Sequence, residues 1–434
     1  MVREDLAQKG VRNLETVEMG LRAAIAKDAR RLLEGLYQDP DLTMPNHAGR
    51  PGEKCHRGRE KDVETIFGPI TLRRNYFYRE STHEGRAPLD EALGLVNGFS
   101  PTLVRLANRA AARTGFAAAA SDLAAMANVQ LDGRQIQRLV NLAAPLVAAR
   151  RAQLRRPKDL SSDPIPVLYV EVDGTGVPMD PAALLGREGK QPDGSAKTRE
   201  AKLGCVFTQT QRDEEGNAVR DFESTTYVGS FQTASEFGAV IRAEAFRRGL
   251  GRAVRVVFIG DGAAWIWELA RTNFPDALQI LDLFHVLERL HTLCDGLYGV
   301  GSAVAKRMEN QWEQWFKEDK VLEVIAAARS RLRDLREQPD GPDALEKQIA
   351  YFENHHHRML YLSYHKQGLF YGSGVIEAGC KAVIGQRLKQ SGMFWSEAGA
   401  QSVLDLRCIL MSQHWDLCWD LVFQSGYLGE KTAA

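Results

Sequence analysis

No apolar run in this chain approaches the roughly 20 residues that a bilayer-spanning helix needs, and the opening stretch MVREDLAQKG has no signal-like apolar segment. Both absences lead to the expectation of a cytoplasmic protein with no membrane partner. Cysteine is sparse and scattered: Cys55, Cys205, Cys294, Cys380, Cys408 and Cys418 include no CxxC pair. That speaks against a disulfide framework and predicts reduced, mostly buried thiols. It also leaves zinc without a ligand set, because His47, His56 and His83 have only Cys55 near them and no second thiol at ligand spacing. Net charge is absent too. Fifty-six basic side chains balance 56 acidic ones, so no overall field draws the chain to nucleic acid.

What is present is an ordinary soluble composition, 44% hydrophobic and 26% charged, over 434 residues, a length that favours two to four structural units over one. The charge is unevenly spread. From Ser100 to Lys158 ten basic residues (Arg105, Arg109, Arg113, Arg134, Arg138, Arg150, Arg151, Arg155, Arg156, Lys158) stand against two acids, Asp122 and Asp132, a local excess of eight in 59 residues. Such a segment is either the footprint of phosphate contact or a solvated helical face. Its text, FSPTLVRLANRAAARTGFAAAASDLAAMANVQLDGRQIQRLVNLAA, predicts three short helices: Ser100 and Pro101 open the first, Gly115 breaks the run, and Asp132 caps the third. A helix, a tight turn and a second helix displaying Arg134, Gln135, Gln137 and Arg138 match a DNA-binding helix-turn-helix, whose recognition helix reads base edges from its first turns. A plain three-helix bundle is the competing description.

Upstream, Leu14, Val17, Leu21, Ile25, Leu32 and Leu36 fall near helical spacing and predict one amphipathic helix over about 12–38, packed on its own domain or paired with a partner chain. Thr43–Lys61 reads as a loop or linker, and VETIFGPITLRRNYFYRE as a hairpin about Gly68 and Pro69. Beyond Pro164 and Pro166 strands take over. VLYVEVDG, AKLGCVFTQT and STTYVGSF are followed by the helical SEFGAVIRAEAFRRG, the strand RVVFIGD, the helix AAWIWELARTN, the strand ALQIL and a helix from Asp282. Three strands and then alternating helix and strand is the order of an α/β ribonuclease-H-like domain. The loop GREGKQPDGSAKTRE is expected to be mobile. The interval from about Val286 to Gly368 is too long for a structureless loop and predicts an inserted helical subdomain, with His355, His356 and His357 on its solvated surface.

Three acids stand in settings that suit metal chemistry. Asp173 and Asp261 end apolar runs that emerge at a sheet's edge, where open α/β sheets keep their sites. Glu377 lies in the first turn of GSGVIEAGCKAVIGQRLKQ, where helix electrostatics alone also favour an acid. Brought together, the three would form an oxygen cage for hard divalent cations, the machinery of in-line phosphoryl displacement when two ions sit side by side. Lys381, Arg387 and Lys389 follow with no acid before Glu397, as a DNA-phosphate track requires. Asp282 and His285, in LDLFHVLERL, form an Asp-x-x-His pair for which helix capping by Asp282 is a sufficient account, while a role for His285 behind the metal ligands or on DNA stays open.

The blocks VEVDGTGVPM, REAKLGCVFTQT, FIGDGAAWIW, LDLFHVLERL and GSGVIEAGCK followed by GMFW, in this order from about Val167 to Trp415, resemble bacterial insertion-sequence transposases of the ISKra group. These are relatives of the Mutator-like transposases with an Asp-Asp-Glu triad, and PLDEALGL at Pro88–Leu95 extends the likeness weakly upstream. The resemblance implies that Asp173, Asp261 and Glu377 are the catalytic, metal-binding triad, that Asp282 and His285 are its auxiliary Asp-x-x-His motif, and that a helical insertion precedes the glutamate. It implies Mg²⁺ as cofactor, with Mn²⁺ as substitute. It also implies DNA as partner, both the terminal inverted repeats and the target, in a nucleoid-associated setting. Because two ends must be held together, a homo-oligomer of two or more copies is expected. Family members often carry a CxxC-type zinc module before the PLDE segment. Here that stretch is NYFYRESTHEGRAPLD, so no zinc is carried over.

The expected organisation is an amphipathic helix in 1–40, a β-rich module and linker in 41–95, and a helix-turn-helix region in 96–158. A ribonuclease-H-like catalytic core follows, divided between 159–285 and 371–434, with the helical insertion in 286–370; its second part holds the Glu-bearing helix and the C-terminal helices. The expected activity is cleavage of element ends and their joining to target DNA by two-metal-ion phosphoryl transfer. A metal-dependent nuclease that does not join, and a domesticated DNA-binding regulator of the same fold, are the alternatives.

Overall fold

A computed structural model of the protein describes residues 14–38, 49–154, 162–189, 191, 194, 196–335 and 342–424. The chain divides into two units, residues 1–151 with 414–434, and residues 152–413. The closing helix, Trp415–Gln424, thus belongs with the amino-terminal third and not with the catalytic core expected over 371–434.

In the first unit, helix α1 (Leu14–Gln38) lies on an antiparallel sheet of β1 (Lys54–Thr65), β2 (Gly68–Arg79) and β3 (Glu84–Arg86). Val63, Ile70, Leu72 and Leu95 form a small core against Leu33, Tyr37 and Leu93. The expected hairpin turns at Ile66–Phe67, with Thr65 paired to Gly68, whose φ of 106° suits glycine alone. The loop expected over 43–61 is corrected at its end. Lys54–Lys61 are strand, because pairing with β2 satisfies their backbone while the charged side chains of 54–60 remain in water. Residues 39–48, with His47, lie outside the described residues.

Short α2 (Pro88–Ala92) leads to α3 (Pro101–Arg113), then α4 (Phe116–Asp122), which runs on into a π-helical turn at Leu123–Ala127, and α5 (Gly133–Arg150). The expected caps are present. Ser100 Oγ accepts the Leu103 N–H at 3.3 Å, and Asp132 and Gln135 close a reciprocal capping box, at 2.7 and 2.8 Å. The closing helix Trp415–Gln424 joins this group, its Cys418 thiol donating to the Val147 carbonyl at 3.3 Å.

The second unit is built on a mixed five-stranded sheet. Its strands are β4 (Ile165–Pro178), β5 (Thr198–Gln209), β6 (Thr226–Ser230), β7 (Ala253–Gly260) and β8 (Leu278–Leu281), in the order β8–β7–β4–β5–β6. β5 runs antiparallel to β4 and β6, whereas β7 and β8 run parallel to β4. Helices α6 (Ala234–Arg247) and α7 (Ala264–Asn273) make the crossovers. All five strands expected from the sequence are present, because each is an apolar run bounded by polar turns. The loop over 186–200 lies partly outside the described residues.

The expected helical interval is filled by α8 (Leu283–Tyr298), α9 (Ala303–Lys317), α10 (Val321–Leu335), α11 (Pro342–His355) and α12 (Tyr361–Lys366), with Trp312, Phe316 and Phe352 in its interior. Next, α13 (Gly374–Gly379) continues through a π-helical turn, Cys380–Gly385, into Gln386–Leu388, and α14 (Glu397–Met411) completes the unit. None of the six cysteines forms a disulfide; four are buried, Cys380 is half-buried and Cys55 is exposed. Among the described residues no helix is long and apolar enough to cross a membrane.

Candidate active site

Strand register brings the two aspartates together. β4 and β7 pair in parallel as far as Glu171 opposite Ile259, so two residues further on Asp173 and Asp261 stand side by side; Asp261 lies just past the end of β7, but the strand end expected at Asp173 is corrected, because β4 runs on to Pro178 against β5. One oxygen of each is held by a following backbone amide, Gly174 N at 2.6 Å from Asp173 and Ala263 N at 2.8 Å from Asp261. Burial pushes the Asp173 carboxyl above its ordinary range and the Asp261 charge adds to the rise, while the Cys380 thiol and the Gly174 amide oppose it. The insertion reaches this edge as well: a Cβ on Gly262 would lie 2.0 Å from the Tyr351 ring of α11, so only glycine fits beside Asp261.

Glu377 sits on α13, a helix of only six residues that is held from outside. Ile376 donates its N–H to Glu171 Oε2 at 2.9 Å, and Ser373 Oγ lies 2.8 Å from Glu377 Oε1 and 2.9 Å from Asp282 Oδ2, donating to one at a time. Glu171 is fully buried two residues before Asp173, on the same face of β4, and burial pushes it up to about 8, so it is protonated at neutral pH. His285 feels the charge of Asp261, and Cys380 feels those of Asp173 and Glu377. Asp173 and Glu377 thus both lie on the side of Cys380, and Asp261 on that of His285.

Asp282 caps α8 and is fully buried. Its Oδ1 accepts from Phe284 N and Ser373 N, each at 3.2 Å, and its Oδ2 from His285 Nδ1 at 2.7 Å and from Ser373 Oγ. Among the described residues, the ligand atoms of Asp282, His285 and Glu377 lie within 4.8 Å of one another, close enough to share a cation. Asp282, however, already accepts from three donors, with the Ser373 hydroxyl a fourth whenever it turns from Glu377, which leaves little of a carboxylate's acceptor capacity. It fixes the imidazole of His285 and the hydroxyl of Ser373 rather than standing open to a metal. The hydrogen bond to Asp282 raises His285 to about 9, against the effect of burial, so the ring carries a positive charge at neutral pH.

Of the three basic residues expected on the DNA track, Lys381 and Lys389 are exposed, and the Lys389 ammonium donates to Thr175 Oγ1, two residues beyond Asp173. Arg387 is a correction. It is fully buried, with its guanidinium 5.1 Å from the Trp395 ring centroid and Nη1 3.6 Å from Met393 Sδ. The π-helical turn at Cys380–Gly385 shifts the helical phase and turns this residue inward.

In the other unit, Arg134 and Arg138 are exposed on the first turns of α5, while the Gln135 side chain is occupied in the capping box. The local positive excess is smaller than it reads. Arg105 pairs with Asp416 and, at 3.4 Å, with Asp420, and Arg109 lies 3.7 Å from Asp416, all on the closing helix. The histidine triple is corrected in part: His356 and His357 are exposed, but the His355 ring lies 4.8 Å from that of Tyr351 and 5.8 Å from that of Trp267.

Four residues of the site escaped sequence reasoning. Glu171 and Lys202 had a signal, a charge inside an apolar strand, whereas Ser373 and Cys380 had none. Lys202, opposite Gly174 on β5, is nearly buried, its ammonium 2.9 Å from Glu200 and 5.6 Å from the Trp265 ring centroid.

The family model that matches, over residues 6–414, is that of the uncharacterised protein family UPF0236. No curated protein matches the chain. Among solved structures, the Drosophila P element transposase strand transfer complex is similar at 8% identity and a TM-score of 0.27, over 75% of this chain and 81% of that one; a likeness so slight carries no argument.

Proposed function

The chain belongs to that family, and we propose that it is a DNA transposase which cleaves the ends of an insertion sequence and joins them to target DNA, as the ISKra-group resemblance implies. The observation that supports this reading is the register of β4 and β7, which puts Asp173 of β4 beside Asp261 just past the end of β7, while Glu377 stands on a helix that the Ile376 N–H ties to Glu171 of the same β4. The strand order, three antiparallel strands followed by two parallel to the first, supports a ribonuclease-H-like core.

The donor set suits Mg²⁺, with Mn²⁺ as substitute. All three ligands are carboxylates; burial, with the charge of Asp261 adding to it, raises Asp173, and a divalent cation beside the carboxylate offsets both. When bound, such ions activate water or a 3′-hydroxyl and stabilise the leaving oxygen of an in-line displacement. The chain's own residues do the rest. Gly174 and Ala263 amides fix the two aspartates, Glu171 and Ser373 aim Glu377, and Asp282 holds the His285 ring. Lys381 and Lys389 draw the phosphate backbone along the edge, and Arg134 and Arg138 meet the terminal repeats.

Supercoiled DNA carrying the element's ends, incubated with Mg²⁺ or Ca²⁺, tests this. Mg²⁺-dependent 3′-hydroxyl ends at the element boundary, followed by joined products and lost in Asp173→Asn, are expected. Cutting without joining would mark a nuclease, and binding with no metal-dependent nick a regulator; either outcome sinks the proposal.

A further inference from the structure

Arg289 is a cation kept from carboxylates. It lies half-buried on α8, one turn after His285, where its guanidinium carbon stands 4.0 Å from the centre of the Tyr351 ring and its Nη1 donates to Gln348 Oε1 at 3.3 Å. Both partners belong to α11 and both are neutral; burial pushes the Tyr351 phenol up to about 12. Among the described residues no carboxylate lies within ion-pair distance of Arg289, whereas Arg329 of the same insertion is held by Glu353 at 2.6 and 2.8 Å. A bridge from α8 to α11 would need no charge, and a half-buried cation is costly to keep without a counter-ion.

Its place gives that counter-ion an identity. The Tyr351 ring packs on the Gly262 backbone beside Asp261, and the Asp261 charge acts on both the Tyr351 phenol and the His285 ring. Arg289 thus borders the Asp261 side of the candidate metal site. Lys389 borders the other: its ammonium donates to Thr175, two residues beyond Asp173, and Cys380 feels its charge together with those of Asp173 and Glu377. A polyanion lying across the carboxylates would meet a cation on each side.

We propose that Arg289 binds the backbone phosphate of a DNA strand next to the scissile one, on the Asp261 side, and that Tyr351 is the positioning residue which holds its guanidinium there. This role rests on the reading of the site as one that cuts DNA. One of the five N–H donors of Arg289 is spent on Gln348, so the planar fork keeps donors for two oxygens of one phosphate. Lysine would supply the charge but neither the fork nor the flat face that stacks on Tyr351. The helical insertion then does more than span the sequence between Asp261 and Glu377: through α8 and α11 it carries part of the grip on the strand.

The test uses the full chain and a duplex carrying one element end, in Ca²⁺ so that binding is read without cleavage, by fluorescence anisotropy across a salt series. Arg289→Gln is expected to reduce the slope of log affinity against log salt by about one, with unaltered circular dichroism. Arg289→Lys should retain the slope while binding less tightly than the wild type. Tyr351→Leu should lose affinity that Tyr351→Phe keeps, since the ring face and not the hydroxyl orients the guanidinium. Single methylphosphonates, each removing the charge of one phosphate, should weaken the wild type at a position adjoining the bond cut in Mg²⁺ and have no further effect there in Arg289→Gln. An undiminished slope in Arg289→Gln, equal binding by the two Tyr351 variants, or a methylphosphonate penalty equal in Arg289→Gln and wild type at every position would each overturn the proposal, while wild-type cutting in Mg²⁺ left the activity standing. A wild type that makes no Mg²⁺-dependent cut would overturn both.

Discussion

Glu171 accepts the backbone N–H of Ile376 at 2.9 Å, across 205 positions of sequence, and so ties the first strand of the sheet to the helix that carries Glu377. Only an acceptor is needed there. Glu171→Gln is therefore expected to keep DNA cleavage within a few-fold. Glu171→Leu should leave the Ile376 amide unpaired at a cost of about 1–3 kcal/mol and misplace Glu377, with a loss of about 100-fold in cleavage. DNA binding by gel shift should be equal in both. Equal activity of the two variants would show that this bond does not aim Glu377.

Removing one of two crowded carboxylates should separate stability from metal response. Mg²⁺ binding to the folded state raises the melting temperature by mass action. Asp173→Asn should abolish that rise while melting no lower than the wild type without metal, because the neutral amide removes a buried charge that also faces Asp261. A normal Mg²⁺ shift in the variant, read by differential scanning fluorimetry, would place the cation elsewhere.

Asp282 organises four donors, so its loss is structural before it is chemical. Asp282→Ala should lower stability by about 1–3 kcal/mol in urea unfolding, through the lost helix cap and the unpaired Ser373 amide. Ser373→Ala removes only the hydroxyl between Asp282 and Glu377. It should fold normally and lose about tenfold in cleavage rate, equivalent to roughly 1.4 kcal/mol. A cleavage rate unchanged in Ser373→Ala would mean that the hydroxyl does not position Glu377.

The basic residues near Glu377 should divide into two kinds. Lys381→Ala and Lys389→Ala are expected to reduce the slope of log affinity against log salt by about one each. Arg387→Ala should instead lower the melting temperature, through packing lost against Trp395, and leave the salt slope alone. A reduced slope in Arg387→Ala would require this side chain to leave its buried position.

Burial lowers His355 from 6.5 to about 4, helped by the charge of Arg358, whose Nη1 lies 2.8 Å from His355 Nδ1. Between these values the unfolded chain binds more protons than the folded one. The contribution of His355 to stability is therefore complete above about pH 6.5 and is lost as pH falls towards 4. His355→Leu should flatten the stability profile over that window, measured by urea midpoints at pH 7 and pH 4.5 against the wild type. A profile parallel to that of the wild type would show that the ring titrates normally.

Sequence alone determined the elements of the second unit. VLYVEV and RVVFIG are too apolar to be anything but buried strands, and the interval from about Val286 to Gly368 demanded helices; such signals are local, carried by the period and composition of each segment. It also singled out Asp173, Asp261 and Glu377, because acids that close apolar runs stand out in a string. Only the tertiary structure decided which groups share one site. The register of β4 against β7 sets the two aspartates side by side, and a buried Glu171 reaches Ile376 across 205 residues. A π-helical turn rotates Arg387 into the core, and Asp416 and Asp420 return from the far end of the chain to neutralise Arg105. These outcomes depend on pairing between segments distant in sequence, and neither helical period nor local charge encodes which distant surface a side chain will meet.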